Sequence, residues 1–135
     1  MNQFVTDTHT FIWHLTSDRR LSPSARQIFD DADKGLVQIL IPGIVLIEMV
    51  YLVEKGVLLR TRLEQVLTFL DVPGVSYIVA ALDEHVARAM LDEVAWSDVP
   101  ELADRIIAAT AVSLNLPLLS KDPRHRSAGA VQVVW

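Results

Sequence analysis

The sequence predicts an α/β fold built on a parallel sheet that helices cover on both faces. Short apolar runs at residues 4–6, 37–41, 75–79, 118–119 and 131–134 alternate with longer segments of helical periodicity, the pattern of strand–helix–strand crossovers. Those runs are nearly continuous in apolar character, as suits strands buried on both faces. The 135 residues, 51% of them hydrophobic, read as one domain spanning 1–135, long enough to bury roughly two-thirds of its unfolded surface.

Residues 4–6 (Phe4-Val5-Thr6) form the first strand and run through Asp7 into a helix carrying Phe11, Ile12 and Leu15. Ser22-Pro23 starts the next helix, with Ser22 as cap and Pro23 in the first turn. Ala25, Ile28, Phe29 and Ala32 follow at helical spacing, and Gly35 ends it. Residues 37–41 are a second strand, turned by Pro42-Gly43 into a buried helix over 44–55 that Gly56 stops. A helix over 61–70 and a strand over 75–79 come next, then a helix capped by Asp83 with Val86, Ala87, Met90 and Leu91. Asp98-Val99-Pro100-Glu101 resembles a capping box ahead of a long helix to about Leu114, on which Glu101 and Arg105 are spaced to pair. Strands at 118–119 and 131–134 complete the chain, with Asp122-Pro123 read as a turn. Asp30, Asp31, Asp33 and Lys34 read as a solvated helix end.

With no cysteine in the chain, a disulfide scaffold, a thiolate zinc site and a cysteine nucleophile are excluded, and a reducing cytoplasm is expected. The N-terminus has no basic region leading into a long apolar stretch, so no signal peptide is expected. The most apolar window, 36–53, is interrupted by Pro42-Gly43 and Glu48 and reads as strand plus helix rather than a membrane span. Twelve Lys+Arg against seventeen Asp+Glu leave a net charge of −5. A protein that bound polyphosphate by charge alone would be basic, so a nucleic-acid ligand requires positive charge from elsewhere.

Four acids resist a surface reading. Glu48 has Ile44, Val45, Tyr51 and Leu52 as helical neighbours, and Asp104 has Pro100, Glu101, Ile107 and Ala108; neither has a cation within local reach. Asp7 and Asp122 each follow an apolar strand, where open parallel sheets bind ligands. Singly, Asp7 could be a helix cap and Asp122 part of a turn. Right-handed crossovers would nevertheless bring all four to one edge of the sheet. Carboxylates ~5 Å apart at an effective dielectric of ~20 repel by about 3 kcal/mol per pair. A hard divalent cation relieves that repulsion, and all-oxygen donors favour Mg²⁺ or Mn²⁺. Such an ion also presents positive charge to a phosphodiester on an acidic protein.

At these residues the chain resembles the PIN-domain family, specifically the small VapC-type toxin ribonucleases. The resemblance rests on Asp7-Thr8-His9 with Trp13 downstream, Leu21-Ser22, Glu48, the block from Asp104-Arg105-Ile106-Ile107 to Ala108-Ala109-Thr110-Ala111, the stretch Leu116-Pro117-Leu118-Leu119-Ser120-Lys121-Asp122, and Val133-Val134-Trp135. It implies a three-layer α/β/α sandwich with about five parallel strands and an acidic metal cluster of Asp7, Glu48, Asp104 and Asp122. RNA as substrate, a homodimer and a small antitoxin that blocks the site are implied with it, with no role for a membrane. The chain departs from the family pattern at Pro42 and Val45, where small hydroxyl residues are usual, and at Ser120, where threonine is. Glu101-Leu102 stands where Asp-Pro is common, which makes Glu101 an outer carboxylate or, by preference, part of the helix cap.

The expected mechanism is hydrolysis by metal-activated water. Asp7 and Asp104 are the principal ligands, and Glu48 and Asp122 serve a second ion or hold water. Glu48 also helps to deprotonate the attacking water, and Thr8 and Ser120 orient carboxylates or touch phosphate. His9, His14 and His85 are assigned packing or surface roles. Arg124, His125 and Arg126 suit either an RNA-backbone contact or an ordinary polar loop. Trp13 and Trp96 are base-stacking candidates, though core packing is the commoner fate of tryptophan. The helices at 44–53 and 61–70 offer either a dimer face or core. Two rival readings are a phosphatase with Asp7 as nucleophile and a catalytically silent PIN fold that binds RNA or protein. The first wants a second aspartate at position 9, where the chain has His9, and four intact carboxylates argue against the second. An RNA-processing nuclease is the alternative to a toxin.

Overall fold

The structure, a computed structural model, describes residues 1–135. Five strands, β1 (Asn2–Thr6), β2 (Val37–Pro42), β3 (Tyr77–Ala80), β4 (Leu118–Leu119) and β5 (Val133–Val134), form one sheet in the order β3-β2-β1-β4-β5. Every pairing is parallel, with Phe4 opposite Ile39, Val5 opposite both Leu40 and Leu118, and Leu119 opposite Val134. Seven helices complete the α/β/α fold: α1 (Thr8–Leu15), α2 (Pro23–Asp33), α3 (Gly43–Glu54), α4 (Arg60–Leu70), α5 (Glu84–Glu93), α6 (Leu102–Leu114) and α7 (Pro123–Ser127). None is long and apolar enough to cross a membrane.

The core follows from the strand pattern. Val5, Ile39, Ile41, Leu118 and Leu119 are completely buried, as are Phe29, Met49 and Ile107 from the covering helices. Local signals set most helix boundaries. Ser22 accepts from the Ala25 amide at 3.1 Å, Asp83 from His85 and Val86, and Gly35 and Gly56 take the positive φ that ends α2 and α3.

Three expectations are corrected here. The capping box at 98–101 does not form: α6 begins only at Leu102, and Glu101, at the cap position, makes no capping hydrogen bond. The Asp98 and Val99 amides instead close a turn on the Ala95 carbonyl. Arg105 does not pair with Glu101 but donates to the Val94 carbonyl at 2.8 Å and the Met90 carbonyl at 3.2 Å, because the fully buried Val94 and Val99 pull that loop against α6. Finally, α3 is not a buried helix. It submerges only Val45 and Met49 and leaves Ile47, Val50 and Tyr51 exposed. At the end of α2, Asp33 is exposed as expected and also accepts a 2.6 Å hydrogen bond from the Tyr77 hydroxyl.

Candidate active site

The strand order reverses between β1 and β4. The crossover after β1 runs one way, to β2, and the one after β4 runs the other way, to β5, so a crevice opens beyond the carboxyl ends of the two strands. Asp7 leaves β1 at this point, and its amide extends the ladder to the Leu119 carbonyl at 3.2 Å. Asp122 follows β4. Glu48 reaches the same crevice from the middle of α3 and Asp104 from the first turn of α6. All four line one cavity of about 470 Å³, together with Thr8, His9, Glu101, Lys121 and Arg124.

Each carboxylate has a distinct environment. Asp7 is buried and caps α1, its Oδ1 accepting from the Thr10 amide at 2.9 Å. Glu48 accepts the Thr8 hydroxyl. Burial raises its pKa above the usual carboxylate range; the Thr8 hydrogen bond opposes that shift, and the charges of Asp104 and Asp7 add to it. Asp104 is likewise raised, first by burial and then by Asp122 and Asp7, against the pull of His125 and Arg124. Asp122 is lowered, chiefly by its hydrogen bonds to Arg124. It also caps α7 through the Arg124 amide at 2.9 Å. The cap readings of Asp7 and the local-turn reading of Asp122 thus describe real contacts, made by side chains that also face the cavity.

The cation lacking in the local sequence around Asp104 comes from 20 residues away. Arg124 Nη2 donates to Asp104 Oδ2 at 3.0 Å and to Asp122 Oδ2 at 2.8 Å, and Nε lies 3.2 Å from both Asp122 oxygens. Its Nη1 is 3.9 Å from Glu101, so the Glu101 side chain, which caps nothing, stands at the rim of the acidic group while its backbone starts α6.

Behind these groups lies His125, which the sequence assigns to an RNA-backbone contact or a polar loop and which the structure buries instead. His125 is completely buried and spans from Ser120 Oγ, 2.8 Å from Nδ1, to the Asp104 carbonyl, 3.2 Å from Nε2. A carbonyl can only accept, so Nε2 carries the hydrogen, and Nδ1 pairs with the Ser120 hydroxyl. Ser120 in turn accepts the Asp122 amide at 3.1 Å. One ring therefore joins the start of α6 to the loop after β4 and sets Asp104 against Asp122. Of the other candidates, Thr8 and Ser120 touch the site as described. Trp13 lines the cavity, edge-on to Trp135, with Arg20 4.9 Å above its ring. His9 lines it beside Trp13. His14 stacks on Phe29 with ring centroids 4.2 Å apart, away from the site, and Trp96 is exposed outside it.

The donor set is chemically suited to a hard divalent ion: oxygen ligands only, with two carboxylates made harder to ionise by burial and by their neighbours. As the side chains stand, no three carboxylate or imidazole groups converge closely enough to hold an ion. Arg124 occupies oxygens on two of the four.

An open parallel sheet with a carboxylate-lined cleft at its reversal point defines an α/β/α protein with an acidic ligand site. The chain matches the PIN domain family model over residues 4–131, and it belongs to the PIN domain family. No curated protein matches it in sequence. Several solved structures share the fold. VapBC2 from Rickettsia felis, bound to a DNA fragment from its promoter, aligns with a TM-score of 0.72 at 14% identity over 98% of this chain and 97% of that one. DNA-bound VapBC from Salmonella typhimurium aligns at 0.68 and 19% over 99% and 98%. A toxin-antitoxin complex from Klebsiella pneumoniae aligns at 0.65 and 21% over 97% and 95%.

Proposed function

We propose that the protein is a Mg²⁺- or Mn²⁺-dependent ribonuclease and the toxin of a toxin–antitoxin pair. The observation that carries the reading is the convergence of Asp7, Glu48, Asp104 and Asp122, from two strand ends and two helices, on one cavity at the sheet's reversal point. Asp7 and Asp104 would be the principal ligands, and Glu48 and Asp122 would complete the coordination or hold bound water. The ion, when present, supplies acidity to a water and positive charge to the scissile phosphate. Glu48 is suited to take the proton of the attacking water: Thr8 holds its Oε1 and leaves Oε2 free, and its raised pKa brings it nearer the working pH of a base. Lys121, on the cavity wall, gives the phosphate backbone a cationic contact.

Membership of the PIN family and the fold shared with VapBC and another toxin-antitoxin complex support the toxin role and a small antitoxin partner. The exposed apolar residues of α3 and α4, including Ile47, Tyr51 and Leu67, suit a homodimer face. The direct test is incubation with structured and unstructured RNAs in Mg²⁺, Mn²⁺ or chelator, alongside an Asp7→Asn, Asp104→Asn double variant. Cleavage should require the ion and vanish in the variant. Cleavage indifferent to both would remove the nuclease reading.

A further inference from the structure

Arg124 divides the acidic cleft into two unlike halves. Asp7 and Glu48 are held by neutral donors, the Thr10 amide and the Thr8 hydroxyl. Asp104 and Asp122 are held by a guanidinium fork. Arginine matches carboxylates in the plane of their lone pairs, so Arg124 uses the same oxygens a metal ion would use. Its side chain is 44% exposed and reaches in from the first turn of α7. It can swing out by rotamer change without moving the backbone.

We infer that Arg124 is an internal latch that competes with the divalent ion for Asp104 and Asp122, so that metal entry requires its release. The inference rests on the reading of the cleft as a metal site. In the latched state Arg124 neutralises the anionic pair in place of the ion. In the released state it stands at the rim of the cleft, where an anionic substrate would meet it. The coupling is reciprocal: whatever draws Arg124 outward tightens the metal site, and metal binding frees Arg124.

The test is Mn²⁺ binding at fixed ionic strength, followed by calorimetry and by the electron paramagnetic resonance signal of free Mn²⁺, with no RNA present. Arg124→Gln should tighten binding about tenfold, the scale of a well-formed, partly exposed ion-pair network. Arg124→Lys keeps the charge but loses the added Nε contacts to Asp122, so it should fall between, and it reports the same effect if Arg124→Gln loses its fold. Arg126→Gln removes an equal charge from the same helix at an exposed position that forms no ion pair with the four acids, and should shift affinity by about twofold at most. Equal affinities in Arg124→Gln and Arg126→Gln, with binding still abolished by Asp104→Asn, overturn the latch and leave the metal site standing. Absence of Mn²⁺ binding in every folded variant overturns the metal site and the latch with it.

Discussion

Replacing His125 tests whether one buried ring aligns the acidic cleft. The ring is completely buried and makes two hydrogen bonds, to Ser120 Oγ and the Asp104 carbonyl. His125→Phe keeps the volume and loses both bonds, leaving the carbonyl without its imidazole donor; at about 1 kcal/mol net per bond, the cost is about 2 kcal/mol. His125→Ala adds a cavity at the same place and should cost about 3 to 4 kcal/mol. For a chain of this length about 1 kcal/mol corresponds to roughly 4 °C in Tm, so the alanine variant should melt some 12 to 16 °C below the parent. Urea unfolding of the three proteins, fitted with a common m-value, measures both steps. A phenylalanine variant within about 0.5 kcal/mol of the parent would show that the two bonds contribute nothing, and the claim that His125 sets Asp104 against Asp122 would fall.

Glu48→Gln keeps an acceptor for Thr8 and removes a charge that burial and its acidic neighbours disfavour. A carboxyl whose pKa is raised on folding contributes stability below its unfolded pKa and loses it as pH rises through the folded value. The variant should therefore melt higher than the metal-free parent at neutral pH, with the gain vanishing in acid; a pH series of thermal melts checks this. Asp122 behaves oppositely. Its pKa is lowered, so its contribution is present at neutral pH and lost as pH falls through the folded value, and Asp122→Ala should cost about 1 kcal/mol of capping in urea unfolding at pH 7. Arg105→Met removes the donors that hold the Met90 and Val94 carbonyls. It should cost about 2 kcal/mol and speed hydrogen exchange in the 94–101 loop.

Local chemistry made much of the fold legible. Ser22 and Asp83 announce their helices because a cap is a contact across three residues, and Gly35 and Gly56 mark ends because a positive φ is a property of one residue. The apolar pattern places the edge strand at 75–79, two residues ahead of its start at Tyr77, and it does not separate α7 from a turn, because Asp122-Pro123 begins both. The failed capping box shows the limit of such reasoning: Asp98 and Glu101 have the right spacing, but burial of Val94 and Val99 draws the chain elsewhere.

By itself the amino-acid sequence determined the order of the five strands and of α1 to α6 and marked four acids as out of place, since periodicity and the lack of nearby cations are visible along the chain. Only the tertiary structure decided what those acids meet. Arg124 reaches Asp104 across 20 residues, Thr8 reaches Glu48 across 40, and His125 bridges β4's loop to α6. Such contacts exist because the fold sets the segments after β1, β2 and β4 and the start of α6 at one end of the sheet, and no helical or strand period encodes that adjacency.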